Sequence, residues 1–216
     1  MPRLPNVVFV HGSGQSGLSV SYLEVFLPEC NLVCLEYKVQ ENPDDILKRF
    51  NLLTRNEFGD ESFHIIAHSY GCLISSLFAE KSKRVLSFVA LSSPWGGSQT
   101  ARWISMVFRQ SKLFNNVKPN SNFMQDIQNI KLDCHVTNVV TTGSTGSAND
   151  LAGLGTQHND GLLTVATQTN VPKGFSNVET VYLPLSHNEV LLSFDTINII
   201  KKHTFGDTSG TEYFFK

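Results

Sequence analysis

Ala67-His68-Ser69-Tyr70-Gly71 sets a hydroxyl between two small residues. The apolar run Phe63-His64-Ile65-Ile66 precedes it and a helical run, Cys72 to Ala79, follows, so the serine falls in a sharp strand-to-helix turn. A strained turn of this kind brings the positions two residues either side of the serine against adjacent strands, which requires small side chains there. Ala67 and Gly71 meet that requirement, and Ser69 is the candidate nucleophile. Nucleophilic acyl transfer from a serine also needs a base, a carboxylate to orient the base, and donors for the oxyanion.

The donors are suggested by Val7-Val8-Phe9-Val10-His11-Gly12-Ser13-Gly14, an apolar strand running into a glycine turn. The backbone N–H of Ser13 is expected to pair with that of Tyr70 as an oxyanion hole, each donor contributing roughly 2.7–4 kcal/mol to the transition state. His11 and Gly12 are expected beside the substrate. The turn has neither the Gly-Lys-Ser/Thr of a phosphate loop nor a full dinucleotide fingerprint.

The strand–serine–helix unit with its upstream oxyanion turn resembles an α/β-hydrolase, whose acid and histidine follow the serine on strand-end loops. After the strand expected to end near Thr142 the candidate acids are Asp150 and Asp160, and after the strand ending at Leu185 the histidine in the right loop is His187. Asp160 is preferred because Asp160-Gly161 forms a turn that lifts the carboxylate ahead of a helical segment. Neutral His187 would take the Ser69 proton, Asp160 would hold the imidazole in the right tautomer, and water would release an acyl-enzyme.

A narrower likeness rests on Leu91-Ser92-Ser93-Pro94-Trp95-Gly96-Gly97-Ser98, which resembles the Pro-Trp-Gly-Gly segment of lecithin:cholesterol acyltransferases and lysosomal phospholipases. Asp160 to Thr167 and Leu183 to Leu191 resemble the same family's acid and histidine segments. The resemblance implies cleavage or transfer of fatty acyl chains, with Trp95 near the acyl groove. This chain has no room for that family's cap and membrane-binding insertions. Ala67 also replaces the commoner elbow glycine. A soluble ester or a lysolipid is therefore as credible a substrate as a bilayer phospholipid.

Positioning these residues takes an α/β architecture. Buried strands are expected at Asn6–Val10, Asn31–Tyr37, Ser62–His68, Arg84–Leu91, Cys134–Thr142 and Val178–Leu185. Crossover helices are expected at Ser19–Leu27, Asp44–Phe58, Tyr70–Lys81 and Asn188–His203. The result is a minimal α/β-hydrolase fold: a mostly parallel sheet of about six strands, helices on both faces, little or no cap. Residues 1–204 form one domain and 205–216 a tail. Ser92–Asn129 and Thr142–Thr164 interrupt the alternation, as functional loops do.

The 216 residues carry 17 Lys plus Arg against 19 Asp plus Glu, a net charge of −2, which argues against a nucleic-acid grip. Charged residues make up only 17% and Phe numbers 15, which suits an apolar ligand or interface. The expected partner is an acyl ester or lipid, with transient contact at a membrane or micelle surface. No cofactor is expected. Nor is a metal: His64 and His68, four apart on a strand, stand ~13 Å apart, and His158 reads as a solvated loop residue. Cys30 and Cys34, at the same ~13 Å spacing, are expected as free thiols, and Cys72 as a small buried residue. With neither a signal-like start nor a spanning helix, a cytoplasmic location is expected. Acyl transfer, thioester or amide cleavage on the same triad, and ligand binding without turnover, are the alternative readings.

Overall fold

The computed structural model describes residues 4–13, 15–38, 41–97, 116–143 and 157–206. Its centre is a six-stranded sheet of β1 (Asn6–Val10), β2 (Asn31–Leu35), β3 (Phe63–His68), β4 (Val85–Leu91), β6 (His135–Thr141) and β8 (Val178–Leu183), in the order β2-β1-β3-β4-β6-β8. Every pairing is parallel. Parallel strands covered on both faces must be apolar throughout, and β1 is buried at all five positions. The edge strands β2 and β8 are only partly covered.

Alternation along each strand divides the core between the two faces. Val8, Val10, Ile65, Ala67, Phe88 and Val136 face α2 (Pro43–Phe58) and α3 (Tyr70–Lys81), where Phe50 stacks on Phe78 with ring centroids 3.9 Å apart. Val7, Phe9, Ile66, Val89, Leu91 and Val139 face α1 (Ser21–Phe26) and α6 (Phe194–Phe205). The fold class expected from the sequence is thus observed.

The start of α2 follows from its sequence: the Asn42 side chain accepts the Asp44 amide, Pro43 occupies the first turn, and Asp44 and Asp45 complement the helix dipole. Ile46, Phe50, Thr54 and Phe58 form its buried stripe.

Three features depart from expectation. The single helix expected over Asn188–His203 is a 3₁₀ turn, Glu189–Leu192, followed by α6, because extended Ser193 breaks the path and its side chain accepts the Asp195 amide as a cap. The two-residue strands β5 (Lys131–Leu132) and β7 (Gly174–Phe175) form a second small sheet. The helix α6 runs through Phe205, one residue into the expected tail, and 207–216 lie outside the described residues. The first irregular region holds α4 (Asn122–Asn129), and α5 (Val165–Thr169) begins directly after the second. Residues 98–115 and 144–156, and with them Asp150, lie outside the described residues. Among the described residues no helix is long and apolar enough to cross a membrane.

Candidate active site

Ser69 sits between β3 and α3 with φ 52 and ψ −125, a left-handed conformation costly for a non-glycine residue. The turn survives because its surroundings fix it: the Ser69 amide donates to Leu91 O at 2.9 Å, and Cys72 N donates back to Ser69 O at 3.0 Å. Gly71 shows why the elbow requires small neighbours. A Cβ there would lie 2.4 Å from Val10 O and 2.5 Å from His11 O.

The hydroxyl meets an imidazole from the other end of the chain. His187 Nε2 lies 3.0 Å from Ser69 Oγ, and His187 Nδ1 lies 2.8 Å from Asp160 Oδ2. Of the two acids read from the sequence, Asp160 lies beside the imidazole, and Asp150 is outside the described residues. A main-chain bond from His187 N to Asp160 O, 2.9 Å, ties the two loops together. Asp160 is 1% exposed and His187 and Ser69 each 6%, so the contacts are largely shielded from water.

Asp160 is held as its turn chemistry requires. Its Oδ1 accepts the amides of Leu162 (2.9 Å) and Leu163 (2.7 Å), while Gly161 takes φ 93. The hydroxyl of Thr141 (2.7 Å) and the Gln168 Nε2 (3.3 Å) donate to Oδ2 beside His187. Burial alone would raise the carboxyl pKa; the His187 hydrogen bond and charge, with the Leu163 and Thr141 bonds, outweigh it and hold the pKa below its ordinary value.

The proposed oxyanion turn lies against the elbow. A Cβ on Gly12 would come 3.1 Å from Ser69 Cβ and 2.8 Å from His68 Nδ1, so only glycine lets this backbone approach. The Gly12 amide is committed to Gln15 Oε1 at 2.9 Å, leaving Ser13 as the next donor in the turn. Tyr70 N heads α3, where the helix offers its first amides no carbonyl.

Two residues expected at the substrate are placed otherwise. Trp95 is completely buried, edge-on to Phe88 and Phe175, with Nε1 donating to Asn138 Oδ1 at 2.9 Å. It fills core rather than lining an open acyl groove. His11 is 1% exposed and stacks on Tyr37 at 4.3 Å. Its Nδ1 donates to Gly12 O (2.8 Å) and its Nε2 accepts the Tyr37 amide (3.3 Å), so it shapes the oxyanion turn from behind.

Other contributors were not read from the sequence. His68 Nε2 donates to His187 O at 2.8 Å, and its Nδ1 lies 3.0 Å from Gln15 Oε1. Burial, helped by neighbouring His187, pushes the His68 pKa down to about 3, so this imidazole stays neutral and braces the base loop. Thr141, Gln168, Asn138 and Ser92 form a buried polar chain behind Asp160, in which Ser92 Oγ meets Thr141 Oγ1 at 2.7 Å. The thiols are not poised to react. Burial pushes Cys30 up to about 11 and Cys34 up to about 12, and it raises Cys72, whose Sγ donates to Ala67 O at 3.2 Å. All four cysteines are free, Cys30 and Cys34 as expected. A surface concavity between α2 and α3, lined by Asn51, Arg55, Lys81 and Arg84, lies at the opposite end of α3 from Ser69 and has no part in this geometry.

Comparison with known proteins agrees with the fold. A family model described as alpha/beta hydrolase fold matches residues 38–125. No curated protein sequence matches the chain significantly. Among solved structures, the phospholipase PlaB of Legionella pneumophila superposes with a TM-score of 0.63 at 17% identity, over 76% of this chain and 44% of that one. The chain therefore spans less than half of PlaB. The Bacillus licheniformis lipase BlEst2 gives a TM-score of 0.70 at 15% identity, over 93% of this chain and 91% of that one. An esterase of Pyrococcus furiosus gives 0.66 at 15% identity, over 94% and 84%. By sheet order, elbow and family match, the chain has the α/β-hydrolase fold.

Proposed function

We propose that this protein is a serine hydrolase of acyl esters, of lipase, phospholipase or esterase type, acting through Ser69, His187 and Asp160. One observation carries the reading: a buried imidazole bridges a strained, elbow-mounted hydroxyl at 3.0 Å and a buried carboxylate at 2.8 Å. His187 Nε2 takes the Ser69 proton as Oγ attacks the ester carbonyl, while Asp160 keeps the remaining proton on Nδ1 and stabilises the imidazolium. The amides of Ser13 and Tyr70 meet the oxyanion. His187 then protonates the leaving alcohol, and water attacks the acyl-enzyme by the same proton path in reverse.

Structural neighbours that include a lipase, an esterase and a phospholipase share this fold, and it is the fold they share that supports an ester-cleaving reading. The likeness of Pro94-Trp95-Gly96-Gly97 to the lecithin:cholesterol acyltransferase family supports an acyl chain on that ester, with Trp95 acting as core.

The test is a fluorophosphonate probe followed by a panel of p-nitrophenyl esters of rising chain length, with lysophospholipid, thioester and amide controls. Labelling at Ser69 with ester turnover, both lost in Ser69→Ala, is the expected result. Labelling with turnover of amides or thioesters but not esters would reassign the substrate bond, since one acyl-enzyme chemistry serves all three. Absence of labelling in folded protein would leave a ligand-binding protein and end the hydrolase reading.

A further inference from the structure

Away from the site just described, the fold gathers His135, Glu179 and His203 so that one ligand atom from each lies within 4.8 Å of the others. We propose that these three side chains form a binding site for a single borderline-soft dication, with Zn²⁺ the best fit, that fastens α6 to the sheet. Among the described residues this is the one group of three His, Cys, Asp or Glu side chains so placed. The sequence reading found no metal ligand set because the residues lie 44 and 24 positions apart, with none of the short spacing that marks a local zinc motif.

The sheet register explains the convergence. His135 opens β6 and shares a face with Thr137, two residues on; Thr137 is in turn the register partner of Glu179 on β8. His203 reaches the same face from the last turn of α6, where its ring lies parallel to that of His135, centroids 5.6 Å apart and planes 9° apart. His203 Nδ1 is 3.5 Å from Glu179 Oε2, already the separation of two ligands around a tetrahedral ion. Closing the rest from within 4.8 Å to about 3.4 Å takes side-chain rotation, most of it by exposed Glu179 and half-buried His135, since the His203 side chain is only 7% exposed.

Two imidazoles and a carboxylate are the nitrogen and oxygen set that suits Zn²⁺, leaving a fourth position for water. His135 Nε2 lies 3.3 Å from Thr137 Oγ1, a contact that orients the ring as outer-sphere partners of ligating histidines do. The competing cation is Lys202, whose Nζ lies 3.8 Å from Glu179 Oε1 on a side chain 61% exposed, free to swing into solvent when a dication arrives. The group stands at the N-terminal ends of β6 and β8, whereas Asp160 and His187 follow their C-terminal ends. It is therefore a strap and not a second centre for chemistry.

The experiment is calorimetric titration of chelator-stripped protein with Zn²⁺, together with melting curves and the visible spectrum of the Co²⁺-loaded chain. One ion per chain is expected, with a melting rise of roughly 5–10 °C at a hundredfold excess over Kd. Affinity should fall at least tenfold in His203→Ala and in His135→Ala, and stay unchanged in Ser69→Ala. The Co²⁺ spectrum of the wild type, which needs no variant to fold, should show intense tetrahedral bands. Absence of binding at millimolar Zn²⁺, or wild-type affinity in folded His135→Ala and His203→Ala, would overturn the site. None of these outcomes touches the hydrolase reading, which is judged by labelling at Ser69.

Discussion

Asp160 is the most heavily constrained side chain of the candidate site, with two amides on one oxygen and Thr141, Gln168 and His187 on the other. A carboxylate offers about four lone-pair positions, so this one is saturated and cannot drift from the imidazole. The consequences at the residue scale are graded. In Ser69→Ala and His187→Ala turnover of the best ester should fall by about 10⁴-fold or more, since each is an indispensable part of one unit. Thr141→Val removes only one donor to a charged oxygen, an interaction worth about 1.5–3 kcal/mol, so kcat should fall roughly 10- to 100-fold with little change in KM. Equal losses in kcat for Thr141→Val and His187→Ala would show that Thr141 does more than steady the acid. Trp95 sits on the same buried polar chain through Asn138, and for that reason its substitution should lower stability before it alters substrate preference.

At the scale of elements, the elbow depends on how closely α3 approaches β1. In Gly71→Ala the new methyl would meet Val10 O at 2.4 Å and His11 O at 2.5 Å, both backbone atoms that no rotamer can relieve. The variant should lose about 2 kcal/mol or more by urea denaturation, and its residual folded fraction should label poorly with fluorophosphonate because the Ser13 turn has shifted. Wild-type stability in Gly71→Ala would refute the close approach. This glycine was legible in the sequence because the motif that calls for it is local, strand, serine and helix lying within twenty residues, even though the atoms it must clear, Val10 O and His11 O, come from β1 and the turn after it. The four central strands were legible for a similar reason, as short apolar runs stand out wherever a sheet is covered on both faces. What escaped notice is tertiary. His68 braces a carbonyl 119 positions away, two-residue strands carry no period, and Ser193 interrupts an otherwise helical pattern only because the 3₁₀ turn after His187 must first return the chain to the sheet. Trp95 was placed near the groove by the family resemblance of Pro94-Trp95-Gly96-Gly97 alone. The structure instead closes Phe88, Phe175 and Asn138 around it.

For the whole molecule, the buried imidazoles set how stability responds to acid. His68 has a pKa of about 3 in the fold against about 6.5 in an unfolded chain, and burial lowers His64 as well. Between those two values the unfolded chain binds a proton at residue 68 that the native state refuses, so stability rises with pH across that window and is lost as pH falls from 6.5 towards 3. Across that window His68 contributes a slope of about 1.4 kcal/mol per pH unit, and His64 acts in the same direction. Asp160 acts in the same sense lower down, because its pKa is depressed: its contribution is whole above the ordinary carboxylate range and disappears as pH drops through the folded value. The unfolding free energy measured in urea should therefore decline steadily from pH 6.5 to pH 4. In His68→Gln, which keeps a donor for His187 O but cannot take up a proton, the decline should be shallower by about 1.4 kcal/mol per unit in that window, whatever the variant's absolute stability. Parallel pH curves for wild type and His68→Gln would mean that residue 68 is protonated in the native state. A charged imidazole beside His187 would then oppose formation of the imidazolium that the proposed reaction requires.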